Sequence, residues 1–233
     1  MASPIQMPRQ FDQELDDLKQ SLLRMAALAE TAVRKSVLSV TTRNSDLARD
    51  VITDDINLNR LELAIEDKAF KLLALRQPLA TDLRLIVAAM RIATELERIG
   101  DQAVNIAERA LELNSREPVE LPVDLKAMAD IALSMVRTSI DAFVQQDPKL
   151  AVQVCQRDVE VDILDDEYIQ KILDVMIDES RWVVRLHHFI IIVRNLERIA
   201  DLATNIAEAI VFIVEGKVIK HRCEDWALFG SPA

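Results

Sequence analysis

The sequence predicts an all-α protein, built as two tandem, pseudo-symmetric, antiparallel three-helix bundles. Three observations carry that expectation. The stretch LERIGDQAVNIAE at 96–108 returns as LERIADLATNIAE at 196–208, with ten of thirteen positions identical, including every acidic residue, both arginines and both asparagines. A repeat period of roughly a hundred residues is the mark of a duplicated structural unit. The chain has 233 residues with only three glycines and seven prolines, is half hydrophobic and only 4% aromatic, a composition suited to long helices and poor in strand formers. Finally, the breakers divide each half into three long segments.

The first segment, 11–43, runs to Asn44 and Ser45, where Ser45 is a candidate cap for the next. The second, 46–75, stops before Pro78, since proline disfavours helix in the residue that precedes it. The third, 79–113, carries the first copy of the repeat. Residues 114–122, NSREPVELP, have two prolines and little apolar content and read as the linker. The second half follows suit with 123–146, with Asp147-Pro148 as cap and first helical position, with 149–178, and with 180–214 bearing the second copy and stopping at Gly216. Helices of thirty residues are about 45 Å long and cannot bury an apolar stripe alone. The domains are therefore 11–114 and 123–216, followed by a tail, 217–233.

The formal charge of −11 and a pI near 4.8 argue against an electrostatic grip on nucleic acid or on an anionic lipid surface, and favour cations and basic protein surfaces as partners. The N-terminal MASPIQMPRQ has no signal-peptide core, and the longest apolar runs fall far short of the roughly 20 residues a spanning helix needs. A soluble chain is expected, touching membranes only through partners. Cys155 and Cys223 lie far apart without metal-ligand spacing, so neither a zinc finger nor a disulfide framework is expected, in keeping with a reducing cytosol.

On a helical wheel Glu97 and Asp101 stand one turn apart on one face, with Asn105 and Glu108 near them, while Leu96, Ala103, Ile106 and Ala107 gather on the other side. Glu197, Asp201, Asn205 and Glu208 repeat the stripe. Like charges at this spacing destabilise an isolated helix by about 0.2–0.5 kcal/mol, so Arg98, Arg198 or a bound cation should compensate them. The middle helices carry a second acidic stripe, with Asp158, Asp162 and Asp165 in one half and Asp55, Asn59 and Glu62 in the other. Two such helices could share a metal ion. Oxygen ligands without histidine or cysteine suit magnesium, manganese or iron, with zinc also open. The competing explanation is a solvated, salt-bridged helix face. His187, His188 and His221 do not stand three residues after a glutamate, as a di-iron bundle would require, and no phosphate loop or nucleophile with its base is present. No catalytic residue is assigned; a metalloenzyme acting through the carboxylates is the alternative of a different class.

Together, the duplicated LERI(G/A)D…NIAE, the corner RQPLATDLR at 76–84 and the two-times-three-helix layout resemble the PhoU family of regulators of phosphate uptake. The resemblance implies metal held by Glu97 with Asp101, by Glu197 with Asp201 and by Asp158 with Asp162; Asp55 with Asn59 departs from the pattern and makes the first half the weaker site. It further implies a cytoplasmic, often dimeric protein beside the phosphate ABC transporter and its ATPase and a phosphate-sensing histidine kinase. In that setting it restrains transport and the starvation response. Service to another anion transporter is the alternative within the family.

Overall fold

The computed structural model describes residues 10–120 and 123–216. Six helices account for nearly all of them: α1 Gln10–Thr41, α2 Ser45–Arg76, α3 Ala80–Asn114, α4 Leu125–Gln145, α5 Pro148–Asp178 and α6 Val183–Glu215. Their ends follow local chemistry. Asn44 rather than Ser45 caps α2, its side chain accepting from the backbone of Asp46 and Leu47, because the chain turns one residue earlier, at Arg43 with φ of 53°. Asp124 and Asp147 cap α4 and α5 in the same way, with Pro148 at the first turn of α5 as expected. The last segment starts later than the sequence suggests: Ser180–Trp182 forms a single 3-10 turn, and α6 follows from Val183. Gly216 ends α6 in the left-handed conformation, at φ of 70°.

Helices α1, α2 and α3 pack on one another, as do α4, α5 and α6, and the two triplets meet through α3 against α6 and α1 against α4. Arg84 near the start of α3 donates to the carbonyl of Ile213 at the end of α6 (3.1 Å), while Asn205 of α6 donates to Glu95 of α3 (3.3 Å). One sequence number rises as the other falls, so the two inner helices run antiparallel. The RQP corner is likewise a tether, since Arg76 grips the Glu14 carboxylate of α1 with two nitrogens, at 2.9 and 2.7 Å. At the opposite end Arg43 donates to the carbonyls of Leu113, Asn114 and Arg116, which satisfies the end of α3.

The core is continuous across both triplets. Leu96, Ile99, Ala103, Ile106 and Ala107 of α3 are fully buried, and so are Leu196, Ile199, Ala203, Ile206 and Ala207 of α6. Among the described residues no helix is long and apolar enough to cross a membrane. One expectation is reversed: Cys155 is disulfide-bonded. Distance along the chain did not exclude a bridge; Cys223, the sequence's other cysteine, lies outside the described residues. The N-terminal segment, His221 and the tail also lie outside them.

A charge placed in this core has no water and no partner. Ile206→Asp is therefore expected to cost more than about 4 kcal/mol and to abolish cooperative thermal unfolding by circular dichroism. Ile177→Asp, at a side chain that is 79% exposed, should stay within about 0.5 kcal/mol of the parent.

Candidate metal centres

Two acidic clusters stand where a middle helix lies against an inner one. In the first, Asp55, Asn59 and Glu62 of α2 face Glu97 and Asp101 of α3. In the second, Asp158, Asp162 and Asp165 of α5 face Glu197 and Asp201 of α6. Glu97 feels the charges of Asp101, Glu62 and Asp55, and Asp158 feels those of Asp162, Asp201 and Glu197. The carboxylates predicted on separate helices are thus brought together in pairs of stripes. Asp55, Glu97, Asp158 and Glu197 are half-buried and form the floor of each cluster; Asp101, Asp162 and Asp201 form an exposed rim.

Burial and like charge act in one direction here. Desolvation first, then neighbouring carboxylates, pushes Glu97 up to about 7, and the same causes push Asp158 up to about 7. Asp101 and Glu197 are raised as well, again chiefly by burial. Arg98 opposes the shift at Glu97 and Asp101, but it is half exposed and paired with Glu95 at 3.3 Å, so it offsets little.

The two clusters relieve their charge differently. Asn59 donates to the Asp55 carboxylate at 3.2 Å, which an aspartate could not do, and so turns a repulsive pair into a hydrogen bond. Gly100 lets α2 come close beside it, because a Cβ there would lie 2.5 Å from Leu58 Cδ1 and 3.4 Å from Asp55 Oδ1. In the second cluster Asp165 is 2% exposed and pairs with the guanidinium of Arg194, 2.5 Å away, which opposes but does not cancel the upward push of burial on its carboxyl. At the matching place in the first cluster Thr94 donates to Glu62 at 3.0 Å. Thr94 and Arg194 escaped the sequence reading. The available signal was their place three residues before Glu97 and Glu197, on the same helix face.

Asp55 Oδ1, Asn59 Oδ1, Asp158 Oδ1 and Asp165 Oδ1 are buried and accept no hydrogen bond. Orphaned oxygens of this kind are costly, and an oxygen-only donor set suits a hard cation. The chemistry of both clusters fits a metal ion. The geometry is more open: among the described residues no three acidic, histidine or cysteine side chains converge on one point as in a preformed cage.

Other members of the predicted stripe go elsewhere. Asn205 turns into the α3–α6 seam to meet Glu95, and Glu108 pairs with its neighbour Arg109 at 3.2 Å. His187 is exposed and His188 half-buried, the latter lowered by burial and then by Arg109, which places the pair beside α3 and apart from the clusters.

The raised carboxyls give the metal-free protein a characteristic pH response. The folded chain holds protons on Glu97 and Asp158 to about pH 7, whereas the unfolded chain releases them near pH 4. Between those values the folded state binds more protons, so its stability should fall as pH rises through the window and level off above about 7. Asp158→Asn should flatten that slope and raise the midpoint of the metal-free protein at pH 7.5, read by thermal melts across pH.

The sequence matches the PhoU domain twice, over residues 22–110 and 125–210. It is 37% identical over 209 residues to a phosphate-specific transport system accessory protein PhoU homolog of Aquifex aeolicus, covering 90% of this chain and 95% of that one. It is 35% identical over 221 residues to a homolog of the same description from Zymomonas mobilis, covering 95% and 93%. The crystal structure of PhoU from Pseudomonas aeruginosa superposes with a TM-score of 0.85 at 35% identity, over 89% of this chain and all of that one. The phosphate transport system regulatory protein PhoU from Streptococcus pneumoniae gives 0.85 at 30% identity, over 91% of this chain and all of that one. With the PhoU domain matched over most of both halves, and with relatives 37% identical over 90% of its length, the chain belongs to the PhoU family.

Proposed function

We propose that this protein is an accessory regulator of phosphate transport, which restrains uptake and keeps the phosphate-starvation response off when phosphate is abundant. The observation that carries the reading is similarity along nearly the whole chain to proteins described as phosphate-specific transport system accessory proteins. It acts without catalysis, as a homodimer on the cytoplasmic side of the membrane, by contact with the ATPase of a phosphate ABC transporter and with a phosphate-sensing histidine kinase. An acidic helical surface is suited to basic patches on such partners.

Within this reading the clusters hold iron, manganese, magnesium or zinc. Asp158, Asp162, Glu197 and Asp201 are the ligands of the second cluster; Asp55, Glu97 and Asp101, with the Asn59 carbonyl, are those of the first. A cation relieves the like-charge repulsion that burial has sharpened, and so sets which surface the protein presents. Having an amide in place of a carboxylate, the first cluster is the weaker binder.

Two measurements test this. Deleting the chain in its source cell should raise phosphate uptake and starvation-reporter output in high phosphate, and the intact chain should restore repression; unchanged output would reject the regulatory reading. In the purified protein, Glu197→Ala with Asp201→Ala should weaken metal binding by at least about tenfold with helicity retained, since half-exposed carboxylates contribute little to folding. Affinity should rise with pH through about 7, as Asp158 releases its proton. Unaltered metal content in the double variant would remove the second cluster as the site.

A further inference from the structure

The outward face of α2 carries an apolar row with no covering element among the described residues. Ile56, Leu63 and Phe70 are 49%, 64% and 57% exposed and recur every seven residues, with half-buried Ile52 and exposed Ala74 extending the row at its two ends. A seven-residue repeat keeps one edge of a helix facing a partner helix along its length. We infer that α2 is the surface through which two copies of this chain associate, as an antiparallel helix pair about a two-fold axis through Leu63.

The argument is self-complementarity, which an isologous interface requires. An axis at Leu63 sets Leu63 against Leu63 of the second copy, Ile56 against Phe70, and Ile52 against Ala74. The charges beside the row match too. Arg60 and Asp67 lie on the same side of it, and the two-fold brings each to the level of the other on the second copy. Arg60 is exposed and makes no ion pair among the described residues, while the i,i+4 pair of Asp67 with Lys71 is solvent-exposed and therefore weak. Asp55 and Glu62 point roughly 90° away around the helix and Asn59 about 40° away, so the pairing runs along the edge of the first cluster rather than over its carboxylates.

The related helix of the second half, α5, also has exposed apolar side chains, Ile163 and Ile177 among them, but the matching two-fold is disfavoured there. A shift of 103 residues carries Ile56 to Val159 and Phe70 to Leu173, but it carries Leu63 to Asp166. Pairing α5 with itself would oppose two exposed aspartates at the centre, a like-charge contact that costs association. The duplicated halves thus differ at the one position a two-fold repeats.

This inference rests on the homodimer named above, and it is tested without any readout of phosphate. Sedimentation of the full chain over a range of concentrations should show a monomer–dimer equilibrium. Leu63→Asp, at an exposed position, should weaken it by at least about tenfold with circular dichroism unchanged. Arg60→Asp should also weaken it, and adding Asp67→Arg should restore it. With Cys155 and Cys223 changed to serine, Leu63→Cys should give a covalent dimer on mild oxidation. A chain monomeric at every concentration, or a dimer indifferent to Leu63→Asp, would overturn the inference, whatever the outcome of the reporter assay.

Discussion

The packing of α3 against α6 is the constraint on which the rest depends. Each is wrapped by the two outer helices of its own triplet and also faces the other, so each has little surface left for polar groups. Its carboxylates are confined to the narrow strip beside the middle helix. The same confinement that makes a continuous core therefore concentrates negative charge at two places and partly withdraws it from water. Ionisable groups cannot be held this way without consequence, and the raised values at Glu97 and Asp158 are that consequence.

The two clusters show how duplicated sites can diverge under one physical demand. Each must lower the repulsion between its stripes. The first half substitutes an amide, Asn59, which donates to Asp55; the second keeps its carboxylates and places Arg194 over the buried Asp165. The second arrangement retains more anionic donors and the first retains hydrogen bonding. Within the proposed function, the pair can respond to cations at different concentrations, because affinity for hard cations follows the number of charged ligands.

The ends of the inner helices matter for the same reason. Arg84 caps the end of α6 from α3, Arg43 satisfies the end of α3, and Arg76 holds the corner to α1. These contacts fix how far α3 can slide or rotate against its neighbours, and hence the spacing of the carboxylates. The RQP corner that helps carry the family resemblance is also one of these fixed points.

Much of this was written in the sequence, because helices are local. The repeat of LERI(G/A)D…NIAE, the prolines and the 3.6-residue apolar spacing determined six helices in two related triplets, and the i,i+4 carboxylates determined which side chains share a face. The chemical difference between the two clusters was also legible, at Asn59 where the second half has Asp162. What the sequence did not decide was anything set by another helix. Asn205 belongs to the predicted stripe, but it lies far enough round α6 to be captured by Glu95 across the seam. Thr94 and Arg194 lie outside the repeated motif and acquire meaning only when Glu62 and Asp165 arrive from the middle helices. Cys155 finds a partner in space that its place in the chain did not suggest. Periodicity specifies the face a residue occupies on its own helix; only tertiary packing decides what that face meets, how much water remains there, and so what charge it carries.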